Sequence, residues 1–496
     1  MPSPRPEPAL TPVRPVGPAV GARPAVRADP ASRAGTRVTS PSTAVTNPPH
    51  AASLPAPVTS TQRLTSVDTL RGVALLGILL MNIVVFALPG DAYTYPARDT
   101  LEPYQGAFTG ANRIAWWVTY VLFDQKMMSI FSMLFGAGLI LMSGRADERP
   151  AKGFAGIYYR RILVLLVIGL MHAYLVWYGD ILVAYAICGV LLYPVRRLPA
   201  WGLILGGALI CLMSVVITGL IGAAMLYLRN GAEAAQRVIE SGGTPSPDQA
   251  GMLESYREMM KGMYPSQETV DESVALMRGS LPDVLKGNAI GAIMLQTIVF
   301  AIWTFWRALG LMLIGMGLMK LGVFAAARSR KFYTIMAVAG LVIGLALAAA
   351  GAWLQVKHNF DTAMLLAVHW HFNYIGSVFA ALGYIGLVML WCKAGAWASM
   401  QARLASVGRM ALTNYLMQSL LMTSIFYGWG LGYFGQFERA ELYFFVAGVW
   451  AVQLLTSPVW LRHFRFGPAE WAWRTATYLS PQPMRRRSIS TEPLAS

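Results

Sequence analysis

Residues 160–197 read RRILVLLVIGLMHAYLVWYGDILVAYAICGVLLYPVRR. Two apolar runs, 161–178 and 180–195, are separated only by the turn Tyr178-Gly179-Asp180, and the outer ends carry Arg160-Arg161 and Arg196-Arg197. Such runs are too apolar for soluble helices, so the stretch reads as an antiparallel pair of membrane spans that starts and ends on one face of a bilayer. Arginine pairs collect on the cytoplasmic side, which orients the hairpin.

Eight more apolar runs lie near 70–88, 126–143, 201–228, 293–320, 332–356, 369–391, 408–428 and 440–461. The runs at 126–143 and 180–195 are short for a hydrocarbon core of about 30 Å. Trp116-Trp117, before the first of them, suits an interfacial segment leading in. Ten spans with both termini inside leave 28 Lys+Arg and 7 Asp+Glu on the cytoplasmic side. The opposite side then carries 11 and 17, with Arg307 inside a span. Moving the count by one helix would put the two arginine pairs on opposite faces. The expected fold class is therefore all-α: a polytopic membrane helix bundle of about ten transmembrane helices, both termini cytoplasmic, in an inner membrane.

Composition agrees. Of 496 residues, 55% are hydrophobic and only 13% charged, where soluble domains approach a quarter charged. The net charge of +16 is explained by cytoplasmic loops facing lipid headgroups, so no nucleic-acid partner is expected. No zinc-type cysteine spacing, phosphate loop or dinucleotide fingerprint is present. Cys188, Cys211 and Cys392 fall in apolar runs and read as buried free thiols. The first 60 residues hold 14 of the 29 prolines. Segment 1–62 reads as a disordered cytoplasmic tail, 63–480 as the membrane domain and 481–496 as a loose basic tail. Within the domain, 229–288 forms the one substantial outer element. Its stretches Met252–Met263 and Gln267–Met277 have helical periodicity and suit a lid, an acceptor platform or a plain interfacial helix pair.

Ionisable groups inside a membrane are functional candidates by default. Arg307 lies well inside the sixth span after Trp303 and Trp306, a placement that fits a functional cation or one snorkelling outward in an indole sleeve. His172 sits near the outer end of the third span, with Asp180 across the short hairpin. Asp68 and Arg71 stand one helical turn apart at the inner mouth of the first span, a spacing that also makes a simple ion pair. Asn82 lies three turns above Arg71 on the same face. Asn414 and Gln418 form an i,i+4 pair that suits either a polar lining or interhelical hydrogen bonding. His369 and His371 straddle Trp370 and face different ways on a helix, so no metal site is expected.

The first span, RLTSVDTLRGVALLGILLMN over Arg63–Asn82, resembles the YeiB family of bacterial membrane proteins, a domain of unknown function numbered 418. So do KMMSIFSMLFGAG (Lys126–Gly138), RRILVLLVIGLMHAYLVWYGDILVAYAICG (Arg160–Gly189), GRMALTNYLMQS (Gly408–Ser419) and GPAEWAWR (Gly467–Arg474). The likeness runs from 63 to 480. The first-span signature is also similar to heparan-alpha-glucosaminide N-acetyltransferase and, more loosely, to acyltransferase-3 proteins. That resemblance implies acyl transfer from cytoplasmic acyl-CoA to a sugar or similar acceptor across the membrane, with a histidine as base or acyl carrier. The histidine that follows the first span in those enzymes is absent here: Asn82 closes the span, and Pro89–Asn112 contains none.

These readings assign His172 as base oriented by Asp180, and Arg307 as the stabiliser of developing charge. Asp68 and Arg71 form the donor mouth, with Arg71 on the acyl-CoA phosphates. Asn82, Asn414 and Gln418 take the donor's amide-rich arm. His172 and Arg307, both in outer halves of spans, would share one pocket. The acceptor is an extracytoplasmic glycan or small molecule, acyl-CoA is a donor substrate, and no resident cofactor is expected. The rival readings are a small-metabolite transporter, with Arg307 binding substrate and His172 relaying protons, and a non-catalytic envelope protein. Cysteine labelling in cells tests the frame: an impermeant external reagent should reach 229–288 but not Arg328–Lys331, and protection of 229–288 would overturn the orientation.

Overall fold

The computed structural model describes residues 65–148 and 153–486. The expected 1–62 tail and residues 487–496 lie outside the described residues. Helix α1 (Thr65–Ala87) is followed by α2 (Gly110–Leu122), α3 (Lys126–Glu148), α4 (Phe154–Leu175) and α5 (Leu182–Val195). Next come α6 (Ala200–Glu240), α7 (Pro247–Met263), α8 (Gln267–Arg278) and α9 (Leu281–Met294), which runs through the π-helical segment Leu295–Thr304 into α10 (Phe305–Lys320). Helix α11 (Arg330–Lys357) precedes a second π segment, Leu365–His369, and α12 (Trp370–Ala394). The chain closes with α13 (Ala398–Arg409), α14 (Ala411–Phe426), α15 (Leu442–His463) and α16 (Pro468–Tyr478). The described residues contain no strand, only an isolated bridge between Phe464 and Arg485.

The architecture is an all-α polytopic membrane bundle. Among the described residues eight stretches are long and apolar enough to cross a bilayer, and each overlaps one of the ten expected spans. The remaining two are α5, with 14 residues, and α14, with 16. At 1.5 Å per residue they reach about 21 and 24 Å, short of a ~30 Å core. Helix α14 follows α13 after a break at Met410, while α5 lies folded against α4. The 41 residues of α6 reach roughly 62 Å, about twice the core thickness. Its far end, α7, α8 and the start of α9 make up residues 229–288; α7 begins five residues before the expected Met252 and α8 matches Gln267–Met277 to within one residue.

Lipid exposure is legible on α6, where Trp201, Leu205, Leu209, Leu212, Val216 and Leu220 form an exposed stripe at helical spacing. In water such a face would be a liability; against acyl chains it is the matching solvent. Helices α11 and α12 make the most extensive pairing. Their backbones approach so closely that a Cβ on Gly344 would fall 2.3 Å from the Ala380 nitrogen. With no hydrophobic drive between helices in lipid, close packing of small residues supplies the adhesion.

Two expectations change. Trp116, read as part of an interfacial segment, is buried, stacked on Tyr120 and edge-on to Phe360, on the inner face of α2, whose Ile114 and Val118 are exposed. Residues 482–486, read as part of a loose tail, are tied back: the Met484 and His463 carbonyls accept from Arg465 and Arg486, and the Gln482 carbonyl accepts from the Trp471 indole.

Helix α16 holds the end of the bundle where the basic residues gather. Glu470 accepts from the backbone N–H groups of Leu412 and Thr413 at 2.7 and 3.1 Å and from the Thr413 hydroxyl at 2.6 Å. It thereby caps α14 from another element. Burial pushes this carboxyl above the usual carboxylate range, against the pull of those hydrogen bonds. Glu470→Ala should lower stability by about 1–2 kcal/mol, the range for loss of a helix cap, read as a lower unfolding midpoint in detergent.

Candidate functional site

The hairpin of α4 and α5 positions the first site. His172 lies one turn before the end of α4, and its Nδ1 is 2.7 Å from Asp180 Oδ2. Asp180 Oδ1 accepts from the backbone N–H of Val183 at 2.9 Å, so one carboxylate both orients the imidazole and caps α5. The helices close because residue 169 is glycine: a Cβ there would sit 2.8 Å from the Val183 nitrogen and 3.1 Å from Asp180 Oδ1. Both side chains are buried, Tyr415 lies 5.2 Å from the imidazole centre, and His172 Nε2 has no protein partner. An Nδ1 tied to a carboxylate leaves Nε2 as the atom available to take or give a proton.

Arg307 is not beside this dyad. It is fully buried and donates to the Tyr374 carbonyl at 3.1 Å and to the Ser129 and Ser377 hydroxyls at 2.8 and 2.6 Å. Its guanidinium lies 4.4 Å over the Tyr374 ring, so it does not snorkel to the surface. Among the described residues no hydrogen bond or ion pair joins Arg307 to His172 or Asp180. Tyr185, bonded to Ser132 at 2.6 Å, stands within electrostatic reach of both Arg307 and Tyr415.

Arg307 belongs instead to a second centre that sequence reasoning missed. Between α2 and α3 the chain breaks at Asp124-Gln125-Lys126, with Gln125 at φ +62°. Lys126, the first residue of the expected 126–143 span, is fully buried. Its ammonium donates to the Tyr120 carbonyl at 2.8 Å and to Asn373 Oδ1 at 2.6 Å. Asn373 donates in turn to Asp124 at 2.7 Å, and the Tyr93 hydroxyl donates to the other carboxylate oxygen. The available signal was a charged triplet inside a 35-residue apolar stretch.

The remaining candidates are dispersed. Asp68 and Arg71 form the i,i+3 ion pair at 3.0 Å, and Arg161 lies within electrostatic reach of Arg71 and Arg474. Asn82 is half-buried on α1, and between it and Arg71 come Ala74, Leu75 and Leu79, all buried in apolar core. Asn414 donates to the Val407 carbonyl and to Ser457, and Gln418 donates to Gln453, each near 3.0–3.1 Å. Gln453 donates back to the Asn414 carbonyl. This is the interhelical network, joining α14 to α15, and it leaves neither amide facing a donor channel. The continuous polar lining is therefore replaced by separate buried centres. His371 bonds Thr218 at 3.0 Å, and the buried His369 ring lies 4.9 Å from that of His358.

A bundle of apolar helices enclosing such buried polar centres is a multi-pass membrane protein. Residues 318–480 match the family described as protein of unknown function DUF418. The chain is 32% identical over 433 residues to the uncharacterized protein YeiB of Escherichia coli K12, covering 85% of this chain and 98% of that one. It is 31% identical over 435 residues to the uncharacterized protein YxaH of Bacillus subtilis 168, covering 87% and 98%. The chain belongs to the YeiB-like DUF418 family. No solved structure matches it.

The amide network gives a direct test. Asn414→Ala leaves the buried groups of Ser457 and Val407 without their partner, which should cost about 1–3 kcal/mol, measured by denaturation in micelles. An unchanged midpoint would show that the network does not join α14 to α15.

Proposed function

We propose that this protein is a membrane-integral acyltransferase-like enzyme of the bacterial inner membrane, with both termini in the cytoplasm. It moves an acyl group from cytoplasmic acyl-CoA to an extracytoplasmic hydroxyl or amine. The observation that carries the reading is the His172–Asp180 pair: a 2.7 Å contact at Nδ1 and a buried, unpartnered Nε2. In this reading Nε2 takes the acceptor's proton as its oxygen or nitrogen attacks the thioester carbonyl. The tetrahedral intermediate expels the CoA thiolate, which receives the proton back from His172. Asp180 stabilises the imidazolium without itself being protonated.

The donor's phosphates lie at the Asp68/Arg71 mouth, where the neighbouring Arg161 and Arg474 supply further positive potential. Fifteen residues of α1 separate Arg71 from Phe86, which stacks on Trp177 beside His172. That rise is roughly 22 Å, so in this reading only the donor's extended arm reaches the dyad, by a route other than the apolar Ala74, Leu75 and Leu79 face of α1 and the engaged Asn414 and Gln418 amides. Carriage of a small anion is a second reading, favoured by one observation: the buried cations Lys126 and Arg307.

Purified protein incubated with radiolabelled acetyl-CoA and envelope glycans should release CoA and label the acceptor. His172→Gln should lose ~100-fold to ~10,000-fold of that rate while still binding CoA. Turnover that survives His172→Gln and Asp180→Asn would exclude the dyad.

A further inference from the structure

Three departures from regular helix converge on one place. The α2–α3 break delivers Asp124 and Lys126. The π segment Leu295–Thr304 ends three residues before Arg307, and the π segment Leu365–His369 ends four before Asn373. Irregular backbone at membrane depth persists where it is buried in protein or lines a cavity, and π segments concentrate at functional sites. The side chains form two rungs between α3 and α12. Lys126 meets Asn373, and one turn further on Arg307 meets Ser129 and Ser377.

The charges on these rungs do not balance. Lys126, Arg307 and Asp124 are all at most 3% exposed, which makes two cations against one carboxylate. Among the described residues neither cation is in an ion pair; each donates only to neutral oxygens. An ammonium has three N–H donors and a guanidinium five. Two and three of them are used, and Arg307 Nε is buried with no partner. A guanidinium that stays charged and three unspent donors in a buried centre call for an anion with more than one acceptor atom. A carboxylate meets that demand with a fork, whereas a halide offers a single point. Tyr93, hydrogen-bonded to Asp124 and itself 38% exposed, puts the centre one side chain beneath the surface.

We propose that the Lys126–Arg307 centre is a binding site for a small monocarboxylate. It is independent of the acyl-transfer reading, since His172 and Asp180 take no part in it. The competing account makes Lys126 only a cap for the Tyr120 carbonyl at the helix break. The two accounts separate in a thermal unfolding experiment on the full-length protein in micelles, with sodium acetate compared with sodium chloride at equal ionic strength. Acetate should raise the midpoint along a saturating curve and chloride should not. Arg307→Gln and Lys126→Gln should abolish the saturable rise, whereas His172→Gln should keep it. Equilibrium dialysis of radiolabelled acetate against the wild type decides the matter even if the variants do not fold. No saturable binding, an equal response to chloride, or a rise that survives both substitutions would overturn the site.

Discussion

Hydrocarbon offers no hydrogen-bond partner, so every backbone group released by a helix break must be answered by a side chain of the protein itself. The break between α2 and α3 frees the Tyr120 and Leu122 carbonyls, which are taken by the Lys126 ammonium and the Tyr384 hydroxyl. The π segment before α10 offers its Ala301 carbonyl to the Trp306 indole and its Ile302 carbonyl to Ser214. The polar interior of the bundle follows from this requirement. Once Lys126 is drawn inside, Asn373 and Asp124 come with it, because a lone buried ammonium is not sustainable.

The outcome is two buried polar centres with different characters. Around His172 the geometry is that of a proton-transfer pair, a carboxylate on one ring nitrogen and nothing on the other. Around Arg307 it is that of a cation cradle, in which hydroxyls and a carbonyl fix the guanidinium in place. Tyr185 stands within electrostatic reach of Arg307 and Tyr415, with Phe131 and Phe135 against its ring. The two centres are built from different side chains, where a single pocket had been expected.

Much of this was readable in the chain. Apolar run lengths located the spans, because lipid demands about twenty consecutive apolar residues per helix. The short connection 176–181, with the turn Tyr178-Gly179-Asp180 inside it, forced α4 and α5 together, and so brought Asp180 to His172; proximity along the chain left little freedom. The Asp68/Arg71 pair was legible for the same reason, being one helical turn apart.

What only the tertiary structure decided involves residues far apart in sequence. Lys126 meets Asn373 across 247 positions and Arg307 meets Ser129 across 178, and no periodicity encodes such pairings. Asn414 and Gln418 carry the same pattern whether they line a channel or bond to Gln453 and Ser457; the facing helix alone makes the choice. Lys126 misleads most, since a lysine opening an apolar run looks like the outer end of a span until the break is seen to be buried. By itself the sequence determined which segments lie in lipid and which local pairs form, because those depend on length and short-range geometry. Which polar groups share an interior, and with what net charge, was decided by packing, because a low-dielectric core ties each buried charge to partners supplied by other helices.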